Sequence, residues 1–230
     1  MTLETYIGVR NISSYSVLLP LALFAIAVYK RKQPGSVWLL GVLLIVSGLA
    51  DLVSFLIYTR YHINPNPVVS VYGLLQFLIL MFIYRTEYTR IAFKRLADVV
   101  SIAFIIFAAI NFVYIQGVHG LNTNLFTVSS IVLMIFCLIY FYQIIQELPE
   151  PYIERMVMFW VGAGVFFYFG TNLFLFLTVD RFIPKADENF LLSWALHNGS
   201  NMVKNIIFSI AFYVALTKES GSPNGGSKHH

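Results

Sequence analysis

The stretch FLLSWALHNGSNMVKNIIFSIAFYVALT, residues 190–217, decides the fold. It is long and apolar enough to cross about 30 Å of hydrocarbon at about 1.5 Å per residue. Yet Lys204 stands near its middle, roughly fourteen residues from either end. A lone ammonium at the bilayer midplane costs at least about 2.5 kcal/mol on insertion scales, so it needs a partner, water or a task. Its stem, about 6 Å long, is too short to reach an interface about 15 Å away. Lys204 therefore marks a candidate functional site inside a membrane helix.

Working outward, the rest of the chain has the same character. Of its residues 58% are apolar and 11% charged, with a mean hydropathy of +0.75. A soluble domain carries about 25% charged residues, so this composition belongs to an integral membrane protein. Seven apolar segments can be marked off, at 14–31, 36–59, 67–86, 96–116, 123–146, 155–179 and 190–217. Breakers separate them: Gln33-Pro34-Gly35, Asn64-Pro65-Asn66-Pro67, Gly117 to Asn124, Pro149-Glu150-Pro151 and Pro184 to Asn189. The expected fold is all-α, one bundle of seven transmembrane helices spanning 1–219. The Ser/Gly/Asn-rich stretch 220–230 reads as a flexible tail that includes tag residues. The first segment lacks a basic n-region and a small-residue cleavage site, so it is expected to be a retained helix rather than a signal peptide.

Cation placement predicts orientation. Lys30, Arg31, Lys32, Arg85, Arg90, Lys94, Arg95, Arg155, Lys218 and Lys228 fall on one side of the seven crossings, against Arg10, Arg60, Arg181 and Lys185 on the other. By the positive-inside rule the amino terminus is outside and the carboxyl terminus cytoplasmic, as an odd number of spans requires, in the cell (inner or plasma) membrane. The net charge of +4 is explained by these loops, and no nucleic-acid partner is read from it. Cys137, the single cysteine, lies in an apolar run and implies neither disulfide nor metal site. Trp38, Tyr58, Tyr61, Tyr84 and Tyr88 are expected in interfacial belts.

Polar residues inside the segments outline a candidate ligand site. On the last helix His197, Ser200, Asn201, Lys204, Asn205 and Ser209 share one broad side at 100° per residue, while Val203, Ile206 and Ile210 lie on the other. Such a side faces other helices or a hydrated cavity, since lipid offers it no hydrogen bonds. For Asn198, Ser200 and Ser209, interhelical bonding is the expected role. Asp51, well inside the second segment, is the expected charge partner of Lys204, with an offset in depth of about 9 Å. Tyr72 and Gln76 on the third helix, and Tyr168 and Asn172 on the sixth, have i,i+4 spacing, so each pair aligns two polar tips. Lys204, Asp51, Asn201, His197, Gln76, Tyr72, Tyr168 and Asn172 are thus expected to line a pocket toward the outside. Gly162, Gly164 and Gly170 are expected to permit close helix approach.

A lysine near the middle of a seventh helix, in Ser200-Asn201-Met202-Val203-Lys204, resembles the Ser-x-x-x-Lys arrangement of the heliorhodopsins. The resemblance covers two positions and the helix count. It implies a retinal cofactor bound as a Schiff base on Lys204. The chain departs from the family in its expected outside amino terminus. It also has Gln76 but no carboxylate on the third helix, and no Trp-x-x-x-Pro-like pattern on the sixth. A photoreceptor is therefore the second reading. A small-solute transporter is the third, but segments one to three share no motif with five to seven. Enzyme signatures for zinc, acyl transfer or phosphate chemistry are absent from the sequence, so a non-enzyme is favoured.

The first reading is a receptor- or sensor-like protein holding a small molecule or lipid around Lys204. The first and third loops are basic and the fifth acidic, with Glu147, Glu150 and Glu154. Attraction to anionic headgroups accounts for much of that division. Such a sensor is expected to act through a cytoplasmic signalling partner or by homo-oligomerising.

Overall fold

The computed structural model describes residues 2–30, 35–147, 149, 151–182 and 188–218. Eight α-helices account for most of them: α1 (Leu3–Ser16), α2 (Leu18–Tyr29), α3 (Gly35–Tyr61), α4 (Asn66–Glu87), α5 (Ile91–Ile110), α6 (Thr123–Glu147), α7 (Val157–Phe182) and α8 (Glu188–Lys218). No strand occurs among the described residues. Among the described residues seven stretches are long and apolar enough to cross a membrane, with α1 and α2 together making the first. The chain is a multi-pass membrane protein. The expected tail, 220–230, lies outside the described residues, as do Arg31, Lys32, Lys185 and Lys228 of the cation count.

The first span begins earlier than its hydropathy predicts. The segment expected from residue 14 is helical from Leu3, because Thr2 caps it: the Thr5 backbone N–H donates to Thr2 Oγ1 at 3.3 Å, and Glu4 sits in the first turn. Pro20 then interrupts the helix. Its ring cannot sit against the carbonyl four residues back, at Ser16, and α1 ends there. The fourth span also starts sooner, at Ile91, and ends in one π-helical turn, Asn111–Ile115, that Gly117 closes at φ 73°. This places Asp98 two turns inside α5, where it pairs with Arg85 of α4.

The helices neighbour one another in the cyclic order α2, α3, α4, α6, α7, α8 and back to α1 and α2, while α5 packs outside on α4. The main core runs through the half of the bundle nearer the carboxyl terminus: Leu40, Leu44, Phe77, Leu80, Met81, Leu133, Phe208 and Phe212 are each at most 2% exposed. Between membrane helices such contacts stabilise by close packing, since lipid is as apolar as leucine. Gly162 and Gly164 serve that packing, as a Cβ would lie 2.9 Å from Phe141 and 2.7 Å from Phe208. Gly170, expected to act likewise, has only ordinary spacing, with Met134 at 3.6 Å.

Tyr84 and Tyr88 are not interfacial. They are 0% and 1% exposed, because the α4–α5 turn folds under α6: Tyr88 donates to the Phe136 carbonyl at 2.6 Å, and its ring and that of Tyr84 pack with Tyr140. Burial pushes the Tyr88 phenol well above its usual range, so it stays a donor. Trp38, Tyr58 and Tyr61 are exposed.

A second, smaller apolar cluster lies near the opposite end of the bundle. Phe126, Leu175 and Phe176 form it, with Val69, Leu121 and Trp194 packed against them. A polar layer separates the two clusters.

Candidate functional site

The layer is built chiefly by α7 and α8. On α7, Asn172 lies between Tyr168 and Phe169 of the main core and Leu175 and Phe176 of the small one. On α8, the residues from His197 to Asn205 lie between Trp194 and Phe208 in the same way. The 3.6-residue period then aims His197, Ser200, Asn201 and Lys204 inward and leaves Val203 and Ile206 exposed.

Its hydrogen bonds form two chains. In one, Asn172 Nδ2 donates to the Tyr168 carbonyl at 2.7 Å and to Ser200 Oγ at 2.8 Å, and Ser200 donates to the His197 carbonyl at 2.8 Å. Asn172 Oδ1 therefore accepts from His197 Nδ1, 2.6 Å away. With the amide so oriented, the His197 Nδ1 carries a proton. The imidazole sits among the rings of Tyr168, Phe176 and Trp194. In the other chain, Lys204 Nζ donates to Asn201 Oδ1 at 2.7 Å, and Asn201 Nδ2 donates to Ser13 Oγ of α1 at 3.1 Å. One turn along, Asn205 Nδ2 donates to Ser16 Oγ at 2.7 Å. Lys204, 5% exposed, also lies over the Tyr168 ring at 4.4 Å, a cation–π distance.

Five of the eight residues expected from the sequence thus meet in one group: Lys204, Asn201, His197, Tyr168 and Asn172. Tyr72 is half-buried on α4, within reach of Ser47 and Asp51. Asp51 is exposed and makes no direct ion pair with Lys204, although the two lie within electrostatic reach of each other. Gln76 is buried on α4 but makes no hydrogen bond to this group. Ser13 and Ser16 of α1 were not foreseen as members. Ser13 falls just outside the span that hydropathy marks at 14–31, where the sequence carries no membrane signal. The bonds of Asn198 and Ser209 are local, to the Trp194 and Asn205 carbonyls.

Lys204 uses one of its three donors on Asn201 and keeps two for other partners. Among the described residues, no three His, Cys, Asp or Glu side chains cluster as metal ligands. An apolar groove between α3 and α4 is lined by Val46, Leu49, Val53, Val68, Val71 and Tyr72 among others, and Lys204 is not part of its lining.

Fold and layer define a seven-helix membrane protein with a lysine in a buried polar layer. No protein-family model, curated protein or solved structure matches the chain.

Proposed function

We propose that this protein is a receptor- or sensor-like membrane protein that holds a small molecule or lipid in the polar layer around Lys204. The observation that carries this reading is the layer itself. A buried lysine, a histidine bonded to Asn172 and three asparagines lie between two apolar clusters at mid-bundle, where apolar side chains would carry no desolvation penalty. The amino terminus lies outside and the carboxyl terminus in the cytoplasm of the cell membrane, by the balance of cations. A ligand that engages Lys204 competes for Asn201 and so acts on α1 through Ser13. A shift of that helix reaches the cytoplasmic side through α2, for reading by a partner or a second copy.

The test is native mass spectrometry of the purified protein. The parent protein should carry a bound species that is absent in Lys204→Ala, while Ile206→Ala, on the exposed side of α8, should retain it. Identical spectra for all three would overturn the reading. Adding all-trans retinal separates the photoreceptor reading: a visible absorbance band lost in Lys204→Ala would replace a noncovalent ligand by a Schiff base.

A further inference from the structure

Helix α3 changes environment at its middle without changing face. At 100° per residue Val37, Leu40 and Leu44 lie within about 40° of Asp51, and so do Phe55 and Tyr58. The first three are 1%, 0% and 2% exposed; Phe55 and Tyr58 are 59% and 61% exposed, and Asp51 is exposed with them. The face that closes the core near Gly35 is therefore open from Asp51 onward. Leu49 and Val53 point the opposite way, into the apolar groove against α4, so Asp51 lies on the other side of its helix from that groove. A carboxylate facing lipid would cost about 2.5–3.5 kcal/mol on insertion scales.

The flank of α3 toward the first span shows the same transition. A Cβ on Gly41 would lie 2.2 Å from the Phe24 ring of α2, whereas one on Gly48, seven residues on, meets nothing within 4 Å. The cause is the break at Pro20. Below it, α2 packs Phe24 against α3; above it, α1 follows α8 through Ser13–Asn201 and Ser16–Asn205. α3 meets the first span chiefly through α2, which leaves a seam beside Gly48. Lys204, 5% exposed, is within electrostatic reach of Asp51 and bonded to Asn201.

We propose that this half of the bundle is a vestibule, open between α1 and α3, that takes a zwitterion, with its cationic group against Asp51 and its anionic group against Lys204. The inference rests on the ligand-binding reading above and names the ligand's class. Two opposite charges held apart in one open space select a ligand that carries both. A simple anion meets repulsion at Asp51, and a simple cation meets it at Lys204. A phospholipid headgroup arriving through the seam and a free zwitterion from the aqueous side share this chemistry.

Two measurements test it. In proteoliposomes, an impermeant methanethiosulfonate should label Asp51→Cys and Phe55→Cys but not Leu49→Cys or Val53→Cys, with the parent protein, whose only cysteine Cys137 is buried, as the blank. Silence at both 51 and 55 in protein that elutes as the parent does would overturn the vestibule. For the ligand, native mass spectrometry in nonionic detergent compares phosphatidylethanolamine and glycine betaine with phosphatidylglycerol and choline. One zwitterion should be retained at least about tenfold better than the singly charged probes, and Asp51→Asn and Lys204→Gln should each lose that preference, with Asp51→Glu restoring it. Retention of the lipid alone assigns a headgroup, and retention of betaine alone assigns a free solute. Equal retention of phosphatidylglycerol, dependent on Lys204 but not Asp51, would overturn the zwitterion while leaving ligand binding at Lys204 intact. Retention of neither zwitterion overturns the ligand class.

Discussion

Gly41 and Gly48 stand one heptad apart on α3 with opposite surroundings. Alanine at Gly41 must displace the Phe24 ring, which is 5% exposed and packed against Trp38 and Phe212, so it cannot swing aside freely. Such overpacking costs about 1–3 kcal/mol, more than the roughly 1 kcal/mol that alanine gains over glycine in a helix. Gly41→Ala should therefore lower the melting temperature in detergent, while Gly48→Ala should leave it unchanged or raise it. Equal losses at both positions would mean that α3 is packed alike along its length. At this scale the sequence gives residue type and depth but not neighbours. Tyr84 and Tyr88 read as interfacial because they sit at a span's end, yet the turn that follows folds them beneath α6. Lys204 was legible because a midspan ammonium is conspicuous whatever surrounds it.

Among elements, two side-chain latches cross between neighbouring helices. The first joins α1 to α8, and because Asn201 serves Ser13 and Lys204 at once, its loss is felt on both. A double-mutant cycle of Ser13→Ala with Asn201→Ala, followed by thermal unfolding, should show coupling of about 0.6–1.7 kcal/mol. Additive losses would show that the two do not interact. The second latch secures the π turn that ends the fourth span. Asn122, 0% exposed, accepts from Asn111 Nδ2 at 2.7 Å and donates to Ser70 Oγ at 2.7 Å, joining three spans. Asn122→Ala removes the donor to Ser70 and leaves Asn111 Nδ2 only its bond to Gln116, and should cost about 1–3 kcal/mol, whereas Asn124→Ala, at an exposed position and giving up only a 3.5 Å bond to Asn111 Oδ1, should cost under about 0.5 kcal/mol. The seven spans themselves were legible from hydropathy, but the start of the first was not. Arg10, Asn11, Ser13 and Ser14 dilute its apolar signal, and a helix there is favoured by the Thr2 cap and by α8. The same dilution hid Ser13 from the candidate site. The expected Asp51–Lys204 pair shows a related limit, since depth follows from counting along each helix, whereas the distance across the bundle depends on where α1 and α3 part.

For the whole molecule, the seven crossings place the α4–α5 turn and the segment after the π turn on opposite faces. Which face is outside is an expectation from charge alone. Among the described residues Lys30, Arg85, Arg90, Lys94, Arg95 and Arg155 share one side, and the positive-inside rule favours that side in the cytoplasm. Arg85 contributes less than its count suggests, because Asp98 neutralises it, but Arg90, Lys94 and Arg95 remain on that side. Thiol accessibility in intact cells reads the outcome, at positions where substitution disturbs little. Arg90 and His119 are both exposed, and His119 engages Asn64 and Asn66 only through its backbone carbonyl. An impermeant thiol reagent should label His119→Cys in intact cells and reach Arg90→Cys only after permeabilisation. The reverse pattern would invert the molecule, turning the opening between α1 and α3 toward the cytoplasm and making its ligand an intracellular one.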